Sequence, residues 1–199
     1  MYHYIPKEDV SVDKRYWKKA LTVMVMGAFL VMAVSSLALA QVSQELKDAA
    51  KMMQNGWTQF NQGQRMVIQG KEINDLVAVQ QGAESLMGPG NNVIKQGRDT
   101  VDQGAKLYAQ GLQMYQNNLK TPSVAKQGLK MMRDGFHMAK DNGIPMLKKG
   151  IAMNNQVAQQ KKFFNQLSQG NQIIQTGFQT MEGGAKLFMQ GEKLFLKLK

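Results

Sequence analysis

The stretch KQGRDTVDQGAKLYAQG, Lys95–Gly111, carries glycine at 97, 104 and 111, one every seven residues, and Gly90 extends the series backwards. Seven residues are two turns of a packed helix, yet glycine is about 1 kcal/mol worse than alanine inside a helix. Counted from the glycines, apolar residues fall three and four positions later: Val93/Ile94, Val101, Leu107/Tyr108 and Met114/Tyr115. That spacing describes one face of a helix and not a strand. The glycines therefore sit on the buried seam, where the missing side chain lets two helix backbones approach closely.

The same heptads run through most of the chain. We assign close helix packing to Gly56, Gly63, Gly70, Gly97, Gly104, Gly111, Gly128, Gly135, Gly177, Gly184 and Gly191. Glutamine often precedes the glycine, as at Gln62, Gln69, Gln96, Gln103, Gln110, Gln127 and Gln190. At such a flanking position it is expected to hydrogen-bond across the seam. The rival expectation is that glycine makes room for a ligand such as a lipid tail or a flat pigment.

Aligned with itself, the chain reads as a duplication. NNVIKQGRDTVDQGAKLYAQG (91–111) matches NQIIQTGFQTMEGGAKLFMQG (171–191) at ten positions, at an offset of 80. KMMQNGW (51–57) matches KMMRDGF (130–136) at an offset of 79, so one residue is inserted between about 137 and 149. Gly88-Pro89-Gly90 and Ser168-Gln169-Gly170 are read as turns, and Thr121-Pro122 as an N-cap with proline at the first helical position. Asn142-Gly143-Ile144-Pro145 should end or kink the third helix. The expected fold is all-α: an antiparallel bundle of four helices, or five where the third splits. It is built from two tandem glycine-heptad hairpins, 41–120 and 121–199, preceded by an N-terminal hydrophobic helix.

Residues 1–19 end in a basic cluster (Lys14, Arg15, Lys18, Lys19), and residues 20–40 form an uninterrupted run of apolar and small residues. The run closes on Ala38-Leu39-Ala40, the pattern a signal peptidase reads, with Gln41 as the new N-terminus. It is also long enough to be kept as a membrane span with the first residues cytoplasmic. Either way the remainder is exported, to the periplasm or beyond, or held outside the cytoplasmic membrane.

The 199 residues include no cysteine, which excludes disulfides, thiolate metal sites and cysteine nucleophiles. The formal charge is +11; residues 1–40 hold five Lys/Arg and three Asp/Glu, so the remainder keeps +9. With no nucleic-acid-binding signature, this surplus reads as a lysine-dotted surface and not as a nucleic-acid interface. His137, flanked by Asp134 and Asp141, is too poor a set for a metal site, and no Glu-x-x-His pair occurs. The carboxylate pairs Glu45/Asp48, Glu72/Asp75 and Asp99/Asp102 read as exposed faces. Met52, Met53, Met131 and Met132 read as core fillers, with Cu(I) ligation as the alternative. Trp57, Phe136, Leu112 and Phe178 widen the apolar stripe, either to join the hairpins or to meet another chain. The C-terminal GEKLFLKLK suits a membrane surface or a partner groove.

No catalytic residue, cofactor site or metal site is expected. The functional expectation is an exported, non-enzymatic scaffold or interaction protein of the cell envelope, with a protein partner or self-association. The alternatives are a single-span accessory subunit of a membrane complex, reaching the membrane through residues 20–40, and a periplasmic carrier of a lipid, pigment or Cu(I).

Overall fold

The computed structural model describes residues 14–198, with side chains from residue 44 onward. The basic segment 1–19, the apolar run 20–40 and the cleavage residues Ala38, Ala40 and Gln41 lie outside the residues whose side chains are described. The chain divides into two units, Met1–Val42 and Ser43–Lys199, and the fold described below is that of the second. Among the residues whose side chains are described, from 44 onward, no helix is long and apolar enough to cross a membrane.

The protein is all-α and bundle-like. Its helices are α1 (Lys14–Gln80), α2 (Gly88–Asn117), α3 (Pro122–His137), α4 (Ile144–Gln160) and α5 (Ser168–Lys197). Proline stands in the first turn of α2 and α3, where its missing N–H leaves no helical bond unmade, and Pro145 stands at the start of α4 directly after the π segment. Thr121 occupies the N-cap of α3, but its hydroxyl makes no capping bond; its carbonyl accepts from Val124 and Ala125 instead.

The turns lie elsewhere than the glycine–proline punctuation suggests. Gly88-Pro89-Gly90 and Ser168-Gln169-Gly170 are already helical. The chain reverses just before them. Gly82 N–H bonds to Val79 O and Ala83 N–H to Ala78 O, the pair of bonds that closes a helix on a left-handed residue. Lys162 N–H to Gln159 O and Phe163 N–H to Ala158 O repeat it. A short 3-10 turn comes next in each case, Glu84–Met87 and Phe164–Leu167. The two reversals share a small core of Ala78, Ala83, Met87, Ala158, Phe163 and Leu167.

The third helical run does not break at Asn142–Pro145. Between α3 and α4 the backbone widens into one π-helical segment, Met138–Gly143, and continues. The widening falls within the interval where the alignment offset changes from 79 to 80. A π turn takes up one extra residue without ending the helix. Gly135 and Gly143 are therefore eight residues apart, yet they face Gly104 and Gly97, which are seven apart. The inserted residue is absorbed and the seam keeps its register.

The main core is a ring-rich centre. Trp57 stacks on Tyr108 at 4.5 Å and Phe136 on Phe188 at 3.8 Å, with Phe60 edge-on to Phe136 at 5.5 Å. Trp57 and Phe136 are thus interior residues joining helices, and Leu112 and Phe178 pack partly buried against the same core. Met53 and Met132 are fully buried in it.

Two single-residue deletions should therefore behave oppositely. Deleting Asn142 should return the π segment to regular helix and leave the unfolding midpoint nearly unchanged. Deleting Gln59, which shifts Gly63 relative to Gly56, should abolish the cooperative transition seen by circular dichroism. At the reversals, Lys162 holds a left-handed φ of 64° where its counterpart is Gly82, also at 64°. Lys162→Gly should stabilise the protein by about 1 kcal/mol in denaturant unfolding.

Candidate functional site: two glycine seams

Each of the eleven assigned glycines lies on one of two helix–helix seams. On the first, α1 runs against α5: Gly56 faces Gly184, Gly63 faces Gly177, Gly70 faces Gly170, and Gly191 faces Ala49. On the second, α2 runs against α3, the π segment and α4: Gly111 faces Gly128, Gly104 faces Gly135, Gly97 faces Gly143, and Gly90 faces Gly150. The contacts are backbone on backbone. A Cβ added to Gly56 would stand 2.6 Å from Gly184 O, and one on Gly184 equally 2.6 Å from Gly56 O. Gly128 and Gly111 behave alike, at 2.6 and 2.5 Å from each other's carbonyl.

The reciprocal geometry aims each Cα–H at the carbonyl of its partner, a weak hydrogen bond that recurs where helices touch. Summed over the pairs, these contacts and the surrounding packing offset glycine's poor helix propensity. The space beside each seam glycine is filled by the facing helix, which leaves no groove there for a lipid tail or pigment.

Four residues after each seam position comes a core residue. On α1 these are Met53, Phe60, Val67 and Asn74; on α2, Ile94, Val101, Tyr108 and Tyr115. The third run supplies Met132, Ala139, Leu147 and Asn154, and α5 supplies Ile174, Met181, Phe188 and Phe195. Two of the sixteen are asparagine. Asn74 donates to Asn171 at 2.9 Å and Asn154 to Asn91 at 2.7 Å, one clasp per seam. The Oδ1 of each is buried without a conventional donor and lies against the Cα of Gly170 or Gly90. The seven glutamines before the glycines are all exposed, so these asparagines, not the glutamines, supply the polar ties across the seams.

Gly143, Gly150 and Gly170 are seam residues that the assigned set omits, and Gly90, which extends the heptad series backwards, is a fourth. Gly143 and Gly150 are displaced by the inserted residue, and Gly90 and Gly170 sit beside turn-like sequence. A strict 80-residue offset would have found Gly143 and Gly150, because Gly63 maps to Gly143 and Gly70 to Gly150, and it relates Gly90 to Gly170.

The polar cluster at the π segment is less than a site. His137 Nδ1 lies 2.9 Å from Asp141 and its Nε2 3.1 Å from Glu192, while Asp134 pairs with Arg133 at 2.9 Å. Glu192 is 55 residues away in sequence, which puts it beyond local pattern reading. Partial burial raises the Asp141 carboxyl, but hydrogen bonds and charge from Lys140 and His137 outweigh it and hold the group below the usual carboxylate range. Any stability this lends is present above the unfolded carboxylate range and is lost as pH falls through the lower folded value. No group of three or more His, Asp or Glu among the described residues is placed to hold a metal ion. Burial pushes the Tyr108 phenol far up, and its hydroxyl has no partner in the core.

The carboxylate pairs Glu45/Asp48 and Asp99/Asp102 are exposed; Glu72 is exposed, and Asp75 is tied to Lys71. Met52 and Met131 pack beside Gly191 and Gly111 at corresponding ends of the two seams. One difference between the halves is on the surface. Leu76, Val79 and Leu86 are exposed near the first reversal, where the second half has Gln156, Gln159 and Gln166.

No known protein family matches the chain, and no curated protein or solved structure matches it.

The seams separate two kinds of glycine. Gly63→Ala would put its Cβ 2.6 Å from the Met181 backbone nitrogen, and should cost about 2–3 kcal/mol despite alanine's better propensity. Gly183→Ala meets only the movable end of Gln59, and should stabilise by up to about 1 kcal/mol. Urea titrations of the two variants should move in opposite directions from the parent.

Proposed function

We propose that the chain is an exported, non-catalytic scaffold of the cell envelope that acts by contact with protein partners. In this reading two tandem hairpins, 41–120 and 121–199, close into an antiparallel four-helix bundle. The observation that carries it is the backbone-filled seam. Both long helix interfaces are spent on rigidity, and they leave a body whose outer surface, rich in glutamine and lysine, is what a partner meets. The offset of 79 or 80 relates the seams to each other, contact for contact, which supports reading the halves as copies of one unit. The basic cluster followed by Ala20–Ala40 supports export, and the absence of a catalytic constellation in the sequence supports a binding role. Nucleic acid is not a partner in this reading.

A second reading keeps Ala20–Ala40 as a membrane span and makes the bundle an accessory subunit held at the outer face of the cytoplasmic membrane. The lysine- and leucine-rich end of α5 favours it. Intact mass from fractionated native cells tests both. A mass beginning at Gln41 in the soluble envelope fraction is the outcome for a free scaffold, and a full-length mass in the membrane fraction is the outcome for the anchored subunit. A full-length chain confined to the cytosol would overturn both. In-cell crosslinking from single cysteines at exposed seam-flanking glutamines should then yield discrete adducts with a partner or a second copy.

A further inference from the structure

We infer that the end of the helical body where α1 enters is a membrane-contacting face, seated on an anionic lipid surface. The inference rests on the reading in which Ala20–Ala40 is retained as a span.

Four helices meet at this end. The chain enters it at Gln44, four residues after the apolar run stops at Ala40. Burial, and then the nearby charge of Asp48 of α1, raises the Tyr115 phenol near the end of α2. Lys126 in the first turns of α3 donates to the Leu198 carbonyl just beyond α5. Glu45 and Asp48 line one cleft with Leu194, Lys197 and Leu198.

Leu119 (47% exposed), Leu194 (39%) and Leu196 (37%) stand open to solvent here. Around them lie Lys47, Lys120, Lys126, Lys193 and Lys197, five cations against the two carboxylates of Glu45 and Asp48. Leucine interleaved with lysine is the composition that buries apolar tips among headgroups while the ammonium groups meet lipid phosphate.

The two halves differ at this place. At an offset of 80, Gln113, Gln116, Asn117 and Asn118 at the end of α2 and its C-cap become Lys193, Leu196, Lys197 and Leu198 at the end of α5 and its C-cap. The core position between them keeps its aromatic character, Tyr115 against Phe195, both buried. At Lys193, Leu196 and Lys197 the departure from symmetry is on the solvent side, where it adds charge and apolar surface together, while Leu198 packs partly buried against the core. Internal packing accounts for Leu198 but not for the three exposed positions; a charged apolar interface does. Three leucine tips alone would give only marginal, reversible binding. Covalent attachment four residues from a span makes the contact intramolecular and raises its effective concentration.

The chain has no cysteine, so single-cysteine labelling needs no background removal. Leu119→Cys, Leu196→Cys, Leu76→Cys and Leu86→Cys would each carry a polarity-sensitive fluorophore. The full-length protein is reconstituted into phosphatidylethanolamine vesicles with about one quarter phosphatidylglycerol and a headgroup-level quencher lipid. Labels at 119 and 196 should lose about half their intensity or more, and lose less in phosphatidylcholine vesicles. Labels at 76 and 86, roughly 40 Å away along α1, should be unaffected. In the Leu194→Ser/Leu196→Ser variant, quenching at 119 should weaken while circular dichroism stays the same. If alkaline carbonate releases the protein from the vesicles, the span is wrong and the inference falls with it. If the protein stays embedded but 119 and 196 are unquenched, or 76 and 86 are quenched instead, the membrane face alone is overturned.

Discussion

Backbone-to-backbone contact at glycine is the constraint on which the rest of this protein depends. A helix pair can touch at its carbonyls only where no Cβ intervenes, and only if every such point lies on the same line along both helices. Heptad spacing provides that line. Once the seams are fixed, the residue four places beyond each contact must point inward, and the core is set by that. Fourteen of those sixteen positions are apolar, and the remaining two, Asn74 and Asn154, clasp the seams near one end. A buried polar pair of this kind is best suited to fixing register, since sliding by one heptad would leave both amides unpaired.

The inserted residue in the second half shows how strongly the seam is enforced. An extra residue in a regular helix rotates everything beyond it by about 100°. Here the chain widens locally at Met138–Gly143 instead, so that Gly143 and Gly150 return to their facing glycines. The same widened turn gathers His137, Lys140 and Asp141 beside Glu192 of α5. The halves differ in polar architecture at this turn, and the difference comes from accommodating a single residue.

Much of the helical character was legible in the sequence, because glycine at every seventh position with apolar residues four later has few other meanings. The pairing of the helices was not. A hairpin reading suggests that α1 would close on α2, yet a heptad says which face is buried and not which helix covers it. The turns were misplaced by the Gly88-Pro89-Gly90 signal, because proline and glycine are also tolerated in the first turn of a helix. Glu192 near His137 could not be read from local pattern, since only tertiary packing brings the two together. The carboxyl-terminal lysines and leucines were legible as amphipathic, but their departure from the first half acquires meaning only once Tyr115 and Phe195 are seen to be equivalent and buried.

The seam between α1 and α5 is closed late in the chain's history. The glycine face of α1 is covered by α5, so it must wait for the 30 residues of that helix to be made. The residues that face each other along it, from Gly70 and Gly170 to Ala49 and Gly191, stand a hundred or more positions apart. Contacts of such separation form slowly. A chain of this design stays open for as long as α5 is missing. This makes a product truncated before α5 inherently unfinished.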